Sequence, residues 1–465
     1  MRNKLRKSLN FLQTFAIISS IQAIVVYLYV FFFTRFASQI EYAEYIKSTY
    51  IIDFCVTVCL FGFNLLILRE PIKYVQTNGK NILFISMVLY MSILIVYFII
   101  YNDTSVTFIV LTFFLGSANI LYQFIFVLLI KFKLNRTAFK SVIINFLIVT
   151  IGLYILVYFD KLSFLTGMIV RIVQVSIFII VGFSVIIKSI GNIYPLFISN
   201  IPRLLLSSYS IGISTFFATL SLYVDKFILT ALSAQEIAQY SVARIEIPFI
   251  GIFISNLSLF YLPKIREYLE FGDNRNVISL FKHLFKYGFT LNLIFFTLLF
   301  CNSNFIIETL YSSSYSSSSP IFQIIILSYL LRVLPFTNLI VALNLERIIF
   351  KRIIIELVLQ LVFSFLLLKF FGLYGLAFSL TLILLVWSIP YNFYFFAKTL
   401  GCRIKDLIPF SFIPISLLRI FMPSFLVLCV FQKYSLPNTI LLVSTILLVT
   451  LLNVPSIRFL FSNTK

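Results

Sequence analysis

Five basic side chains lie inside stretches of sequence that are otherwise apolar: Arg171, Lys226, Arg244, Arg332 and Arg419. Acidic residues in such surroundings are fewer, with Asp53, Asp225 and Glu246 inside the stretches and Glu308 and Glu356 near their ends. A charge at the centre of a bilayer costs at least about 2.5–3.5 kcal/mol on insertion scales, so these groups are expected to face protein or water rather than lipid. The excess is positive, as a path for an anion requires. Polar residues accompany the charges at helical spacing. Asp53, Thr57 and Asn64 share one face, as do Ser214, Ser221 and Asp225; Gln174 follows Arg171 by three, and Ser255 follows Arg244 by eleven. Such stripes read as walls of a hydrated cavity. Structural readings stand beside these: Arg244 as a bridge to Asp225 or Asp53, and Lys226 as a side chain reaching the headgroups. Asp53 and Asp225 are candidates for coupling transport to a proton or cation, or for counter-ions of the arginines.

No constellation for covalent or metal chemistry stands out. Cys55 and Cys59 lie one turn apart, Cys301, Cys402 and Cys429 are scattered, and the single histidine, His283, has no ligand partners nearby in sequence. Gly79-Lys80 lacks the rest of a phosphate-binding loop, so no nucleotide motor of that type is indicated. The expectation is a protein without catalytic residues, metal or cofactor, driven by a gradient or a partner.

The elements that must position these charges are membrane helices. Of 465 residues, 61% are hydrophobic and only 11% charged, which excludes a soluble protein. About fourteen apolar stretches are each long enough to cross a bilayer, at roughly 10–33, 48–68, 82–101, 106–130, 141–159, 162–187, 205–231, 239–262, 284–310, 321–344, 353–371, 373–398, 408–432 and 437–455. The breaks at Asp160-Lys161 and Gly372 are short, which makes twelve the alternative count. The runs are continuous rather than alternating, so they are helices and not barrel strands. The formal charge of +20 follows from the loops. Basic residues concentrate on one side, for example at Arg2/Lys4/Arg6/Lys7, Lys131/Lys133/Arg136/Lys140 and Arg347/Lys351/Arg352, while Arg35, Lys47, Lys161, Lys369 and Lys433 fall on the other. That asymmetry places both termini in the cytoplasm and accounts for the charge without a nucleic-acid partner.

An internal repeat organises the chain. Ser38-x-x-Glu41-x-Ala43-x-Tyr45 recurs as Ser233-x-x-Glu236-x-Ala238-x-Tyr240, each expected in an external loop, with six helices between equivalent positions. Preserved orientation implies a parallel repeat: two six-helix lobes around a central cleft, where transporters commonly bind substrate. The expected division is an N-terminal lobe at 1–187, a cytoplasmic linker at 188–204, a C-terminal lobe at 205–400, and two extra helices at 401–465.

Several segments resemble a known family. Thr34-Arg35 through Tyr45, Gly62-Phe63, Arg69, Val224-Asp225-Lys226-Phe227-Ile228-Leu229, Tyr240, Pro263, Tyr311 to Tyr315 and Gly372-Leu373-Tyr374-Gly375-Leu376-Ala377 look like the polysaccharide-export flippases of the multidrug/oligosaccharidyl-lipid/polysaccharide superfamily. Ala43-Glu44-Tyr45 departs from the tyrosine-glycine pair usual there. The resemblance implies a flippase of the bacterial inner membrane that moves undecaprenyl-pyrophosphate-linked oligosaccharides, such as O-antigen repeat units for lipopolysaccharide. Its partners would be that lipid-linked oligosaccharide, membrane lipid, and a polysaccharide polymerase and chain-length regulator. Arginine suits such a substrate, because its planar fork donates two parallel hydrogen bonds to phosphate oxygens. Arg171, Arg244, Arg332, Lys226 and Arg419 are therefore the candidate substrate-binding residues, with Asp53 and Asp225 as coupling groups or counter-ions. The alternatives are a multidrug or ion-coupled exporter of the same superfamily and, less favoured, a polytopic glycosyltransferase or polymerase.

Overall fold

The computed structural model describes residues 21–462, apart from 23, 70–71, 101–105, 133, 191–200, 245–264, 335, 337–338, 341–342, 344–345 and 435–436. Glu246, Ser255 and most of the expected linker lie outside the described residues. Among those described there is no strand. Among the described residues seven helices are long and apolar enough to cross a bilayer, Val106–Lys131, Phe164–Lys188 and Ile348–Leu400 among them. The protein is a multi-pass, all-α membrane protein. Large apolar side chains along these helices stay exposed, Ile99, Phe114, Ile180 and Phe370 among them, as lipid-facing surfaces require.

The chain divides into two compact units, Met1–Ala238 and Gln239–Lys465. In the first, α1 (Ile24–Phe36) leads into α2 (Gln39–Cys59), followed by α3 (Phe63–Arg69), α4 (Ile72–Ile100), α5 (Val106–Lys131), α6 (Asn135–Tyr158), α7 (Phe164–Ile190) and α8 (Ile201–Thr230). Helix α2 packs against α4, α5, α7 and α8, so residues along it can meet side chains from several neighbours. Phe63, Leu66 and Ile67 of α3 join Phe124–Leu129 of α5 and Phe178 of α7 in one buried core. Helix α9 (Ala234–Ala243) passes from the first unit into the second.

The second unit continues with α10 (Asn274–Cys301), α11 (Ser303–Leu310), α12 (Ser319–Leu331), α13 (Glu346–Ile383), α14 (Ile389–Leu400), α15 (Ile404–Leu407), α16 (Phe412–Ser416), α17 (Met422–Lys433) and α18 (Asn438–Ser462). One π-helical turn, Leu384–Ser388, joins α13 to α14, and a second, Leu417–Phe421, joins α16 to α17. Helix α10 packs against α12, α17 and α18.

Both short breaks are present. Asp160 takes a left-handed conformation (φ 52°) between α6 and α7, and Gly372 (φ 59°, ψ −143°) kinks α13 where no residue with a side chain would sit without strain. At about 1.5 Å per residue, the 53 residues of Ile348–Leu400 would otherwise run to about 80 Å, far beyond one bilayer crossing.

Other boundaries differ from expectation. The stretch at 48–68 is two helices, because Phe61 and Gly62 both have positive φ and end α2. Asn64 consequently leaves the helix that carries Asp53 and Thr57. The stretch at 284–310 starts earlier, at Asn274, and breaks at Asn302. The stretch at 321–344 breaks at Arg332, three residues before Pro335, which cannot continue a helix into the preceding turn. There Asn292 of α10 donates from Nδ2 to the carbonyls of Tyr329 and Arg332, both at 3.0 Å, and satisfies the frayed end. Gly288 makes this approach possible: a Cβ at that position would lie 2.0 Å from the Val333 carbonyl oxygen.

Both copies of the repeat start helices rather than sit in loops. Ser38 Oγ accepts from the Glu41 N–H at 3.2 Å at the start of α2. Before α9, Ser233 Oγ accepts from the Glu236 N–H at 3.4 Å, and Glu236 Oε2 accepts from the Ser233 N–H at 3.0 Å, a full capping box. In the first copy Glu41 instead accepts from the backbone N–H of Phe164, a carboxylate at the N-terminus of α7. Ala43, Tyr45, Ala238 and Tyr240 are all buried.

Candidate functional site

Helix α2 carries a polar ladder at four-residue spacing: Tyr45, Thr49 and Asp53. Four residues is close to one helical turn, so the three side chains line one face. Arg171 of α7 reaches across to that face. Its Nη1 donates to Thr49 Oγ1 at 3.0 Å and its Nη2 to Asp53 Oδ1 at 3.4 Å. The Arg171 side chain is 14% exposed and that of Asp53 43%, so one end of the pair is enclosed and the other meets solvent-accessible space. The sequence marked both residues, and the structure brings them together from 118 positions apart.

The walls of this site are aromatic. Tyr45 stacks on Phe33 at 4.5 Å and on Tyr29 at 5.5 Å between ring centres. The Tyr29 hydroxyl donates to Gln174 Oε1 at 3.4 Å, one turn from Arg171 on α7. These contacts limit the freedom of α1, α2 and α7 around the guanidinium, and Thr49 holds one arm of its fork. The other arm lies on Asp53 at 3.4 Å, a long contact.

A second cation reaches the same helix. Lys226 of α8 places Nζ 5.1 Å from the ring centre of Tyr50, next to Thr49, and 4.2 Å from that of Tyr223. Phe54 packs edge-on against Phe227 at 4.7 Å and near Tyr223 at 5.7 Å, fixing α8 on α2. The Lys226 ammonium is held over aromatic faces. Asp225 beside it is wholly buried. Nothing in the sequence marks Tyr45, Thr49, Tyr50 and Tyr223 as partners in this site, because their hydroxyls and rings become neighbours only through packing.

The remaining candidates stand elsewhere. Arg244 follows the last residue of α9 and is 9% exposed. Arg332, expected in mid-span, caps α12 and is exposed, its guanidinium carbon 5.6 Å from the Tyr329 ring centre. Arg419 lies exposed in the π-helical turn before α17, within the apolar span Phe412–Gln432. The charge pattern sets Arg352 in a basic loop, whereas α13 begins at Glu346 and folds it into the helix. There it pairs with Glu356 at 3.7 Å and donates from Nη1 to Asn392 Oδ1 at 3.2 Å. Among the described residues no group of three or more His, Cys, Asp or Glu could hold a metal ion.

Similarity to solved structures now places this architecture. The lipid II flippase MurJ, in its inward closed conformation, aligns with a TM-score of 0.71 at 15% identity, over 96% of this chain and 99% of that one. The chain has the MurJ fold. The Vibrio cholerae MATE transporter VcmN aligns with a TM-score of 0.51 at 11% identity, over 84% of this chain and 96% of that one. No protein-family model matches the sequence, and no curated protein sequence does. The fold is therefore one that a lipid flippase and a transporter both use, and the particular cargo must be argued from side chains.

Proposed function

We propose that the protein is a flippase that moves undecaprenyl-pyrophosphate-linked oligosaccharide repeat units, of O-antigen or capsule type, across a bacterial inner membrane by alternating access, with both termini cytoplasmic. The observation that carries this reading is the Arg171 fork, enclosed by α1, α2 and α7, with one arm held by Thr49 and the other resting on a half-exposed carboxylate. A pyrophosphate oxygen can take the place of Asp53 on that arm, and Lys226 adds a second positive charge beside α2. Asp53 then neutralises the empty site and is displaced when substrate arrives. Asp225, Arg244, Arg332 and Arg419 belong to the reading as further polar or charged groups along the path. So does the division into lobes at 1–187 and 205–400, with a linker at 188–204 and 401–465 outside them, which the matching helix starts at Ser38 and Ser233 support. The named MurJ structure is of a lipid II flippase, and a lipid-linked glycan is the cargo that agrees with a cationic site in that fold.

A second reading, export of an organic cation, draws on the rings of Tyr50, Phe54 and Tyr223 near Asp53. Arg171 and Lys226 oppose it, because both repel such a cargo. The test is deletion of the gene, followed by measurement of surface polysaccharide and of the leaflet that holds the lipid-linked units. Complete single units retained on the cytoplasmic face support the proposal. Single units that reach the outer face but are not joined would make the protein a polymerase. Unchanged glycan with heightened drug sensitivity would favour the exporter.

A further inference from the structure

The second unit contains a cavity of about 140 Å³ that the Arg171 site does not involve. It lies where α10 breaks into α11, against α12 and the α17–α18 pair. Its polar lining is Asn302, Ser303, Asn304, Gln323, Gln432 and Asn438, and no charged side chain lines it among the described residues. Phe305 and Phe431 stand at its sides, and Cys301, Leu428 and Leu441 form an apolar patch within it.

The polar groups are built in, not scattered over a surface. Asn302 is 1% exposed; its Nδ2 donates to the Leu298 carbonyl at 2.8 Å and to Thr445 Oγ1 at 3.0 Å. Its Oδ1 is buried without a hydrogen-bond partner. Gln323 donates from Nε2 to Ser303 Oγ at 2.8 Å and to the Phe300 carbonyl at 3.2 Å, which fixes the opposite wall. A buried acceptor of this kind is costly unless a donor meets it.

We propose that this cavity is a binding site for one neutral sugar ring. Carboxamides and hydroxyls both donate and accept, which matches the alternating hydroxyls of a pyranose. The Phe305 and Phe431 rings offer apolar faces for the C–H side of a sugar. The volume suits a single ring rather than an oligosaccharide, since sites that enclose larger ligands measure about 300–1,000 Å³. On the orientation given by the basic loops, the cavity lies toward the outer side, next to the segments around Ser313–Ser318 and Tyr434. The proposal deepens the flippase reading and rests on it for its role: the site holds the leading sugar of a repeat unit once the glycan has reached the outside.

The test uses the full-length protein in lipid nanodiscs and saturation-transfer NMR with free hexoses and N-acetylhexosamines. The expected result is transfer to at least one neutral sugar. Gln432→Ala with Asn438→Ala should weaken it about tenfold by removing two hydrogen bonds. Asn438→Trp, a plug at the exposed rim, should abolish it while the protein keeps its wild-type melting temperature. The distant Lys161→Ala should leave it unchanged. No transfer to any neutral sugar, transfer unaffected by Asn438→Trp, or displacement by inorganic phosphate would overturn the proposal. This readout does not depend on transport. If sugar binding holds while deletion leaves surface glycan intact, the flippase reading fails and the site stands; if deletion traps lipid-linked units but no sugar binds, the reverse is true.

Discussion

Asp53→Asn and Arg171→Ala should separate in their effects, although they remove partners of the same ion pair. At 3.4 Å and an effective dielectric near 20, the Coulomb attraction is about 5 kcal/mol before desolvation and screening. The 43% exposure of Asp53 reduces the net toward the 0–1 kcal/mol of open pairs. Asparagine at 53 should therefore cost about 1 kcal/mol of stability, and Arg171 keeps its 3.0 Å bond to Thr49. Alanine at 171 removes that bond as well, worth about 1.5–3 kcal/mol with a charged donor, for a total of about 2–4 kcal/mol. For transport the ranking widens. Losing the fork removes an anion contact of about 3 kcal/mol, roughly a hundredfold, whereas losing Asp53 removes only a competitor for the fork. The assay is surface glycan in a deletion host expressing each variant at matched membrane levels, with melting of the purified proteins alongside. Arg171→Ala should fall about a hundredfold; Asp53→Asn should match or exceed wild type. Folded Arg171→Ala retaining transport within about threefold, or equal losses in both variants, would refute the idea that Arg171 binds the anion and Asp53 stands in for it.

Other changes have smaller, distinct signatures. Lys226→Met should cost about 0.5–1 kcal/mol in a melting experiment through loss of its cation–π contacts, yet lower transport more than that figure implies. Gly372→Ala should destabilise by about 1–3 kcal/mol in the same experiment, because φ 59° with ψ −143° suits only glycine. Arg352→Ala leaves Glu356 and Asn392 without their partner and should lower the melting temperature more than Lys351→Ala, whose side chain is exposed. Cys402, in the loop before α15, should react with an impermeant maleimide in inside-out vesicles only. Burial, with help from Asp406, raises its thiol above the usual range, so the thiolate forms late and labelling should still be accelerating at pH values where an ordinary cysteine has levelled off.

The helices were legible in the sequence because a continuous apolar run of bilayer length has few other uses, and Asp160 and Gly372 were visible as breaks because charge and glycine interrupt such runs. Breaks inside apolar runs were not. Phe61 resembles every other phenylalanine of a lipid-facing helix, and nothing in the sequence marks its positive φ. Asn302 and Arg332 are polar, but a polar residue within a span reads equally as cavity lining. The helix starts at Gln39 and Ala234 were missed for a related reason: Ser38 and Ser233 were recognised as a repeat but not as caps, so polar first turns were assigned to loops. At the site, expense in the membrane singled out Arg171, Lys226 and Asp53. Their real partners were out of reach, since Thr49, Tyr50 and Tyr223 carry no charge and acquire meaning only once α7 and α8 pack on α2. Arg332 shows the limit of the same argument: cost in the membrane marks the residue, but not that α12 ends there and leaves it exposed.

The most direct test of the flippase account is reconstitution. Purified protein is placed in liposomes with an undecaprenyl-pyrophosphate-linked repeat unit on one leaflet, and a membrane-impermeant glycosidase reports how much glycan becomes accessible from the other side. The account predicts transfer with wild-type protein and with Asp53→Asn, and about a hundredfold slower transfer with Arg171→Ala. Folded wild-type protein that leaves the glycan on its original leaflet, in the presence and absence of ion gradients, would contradict it.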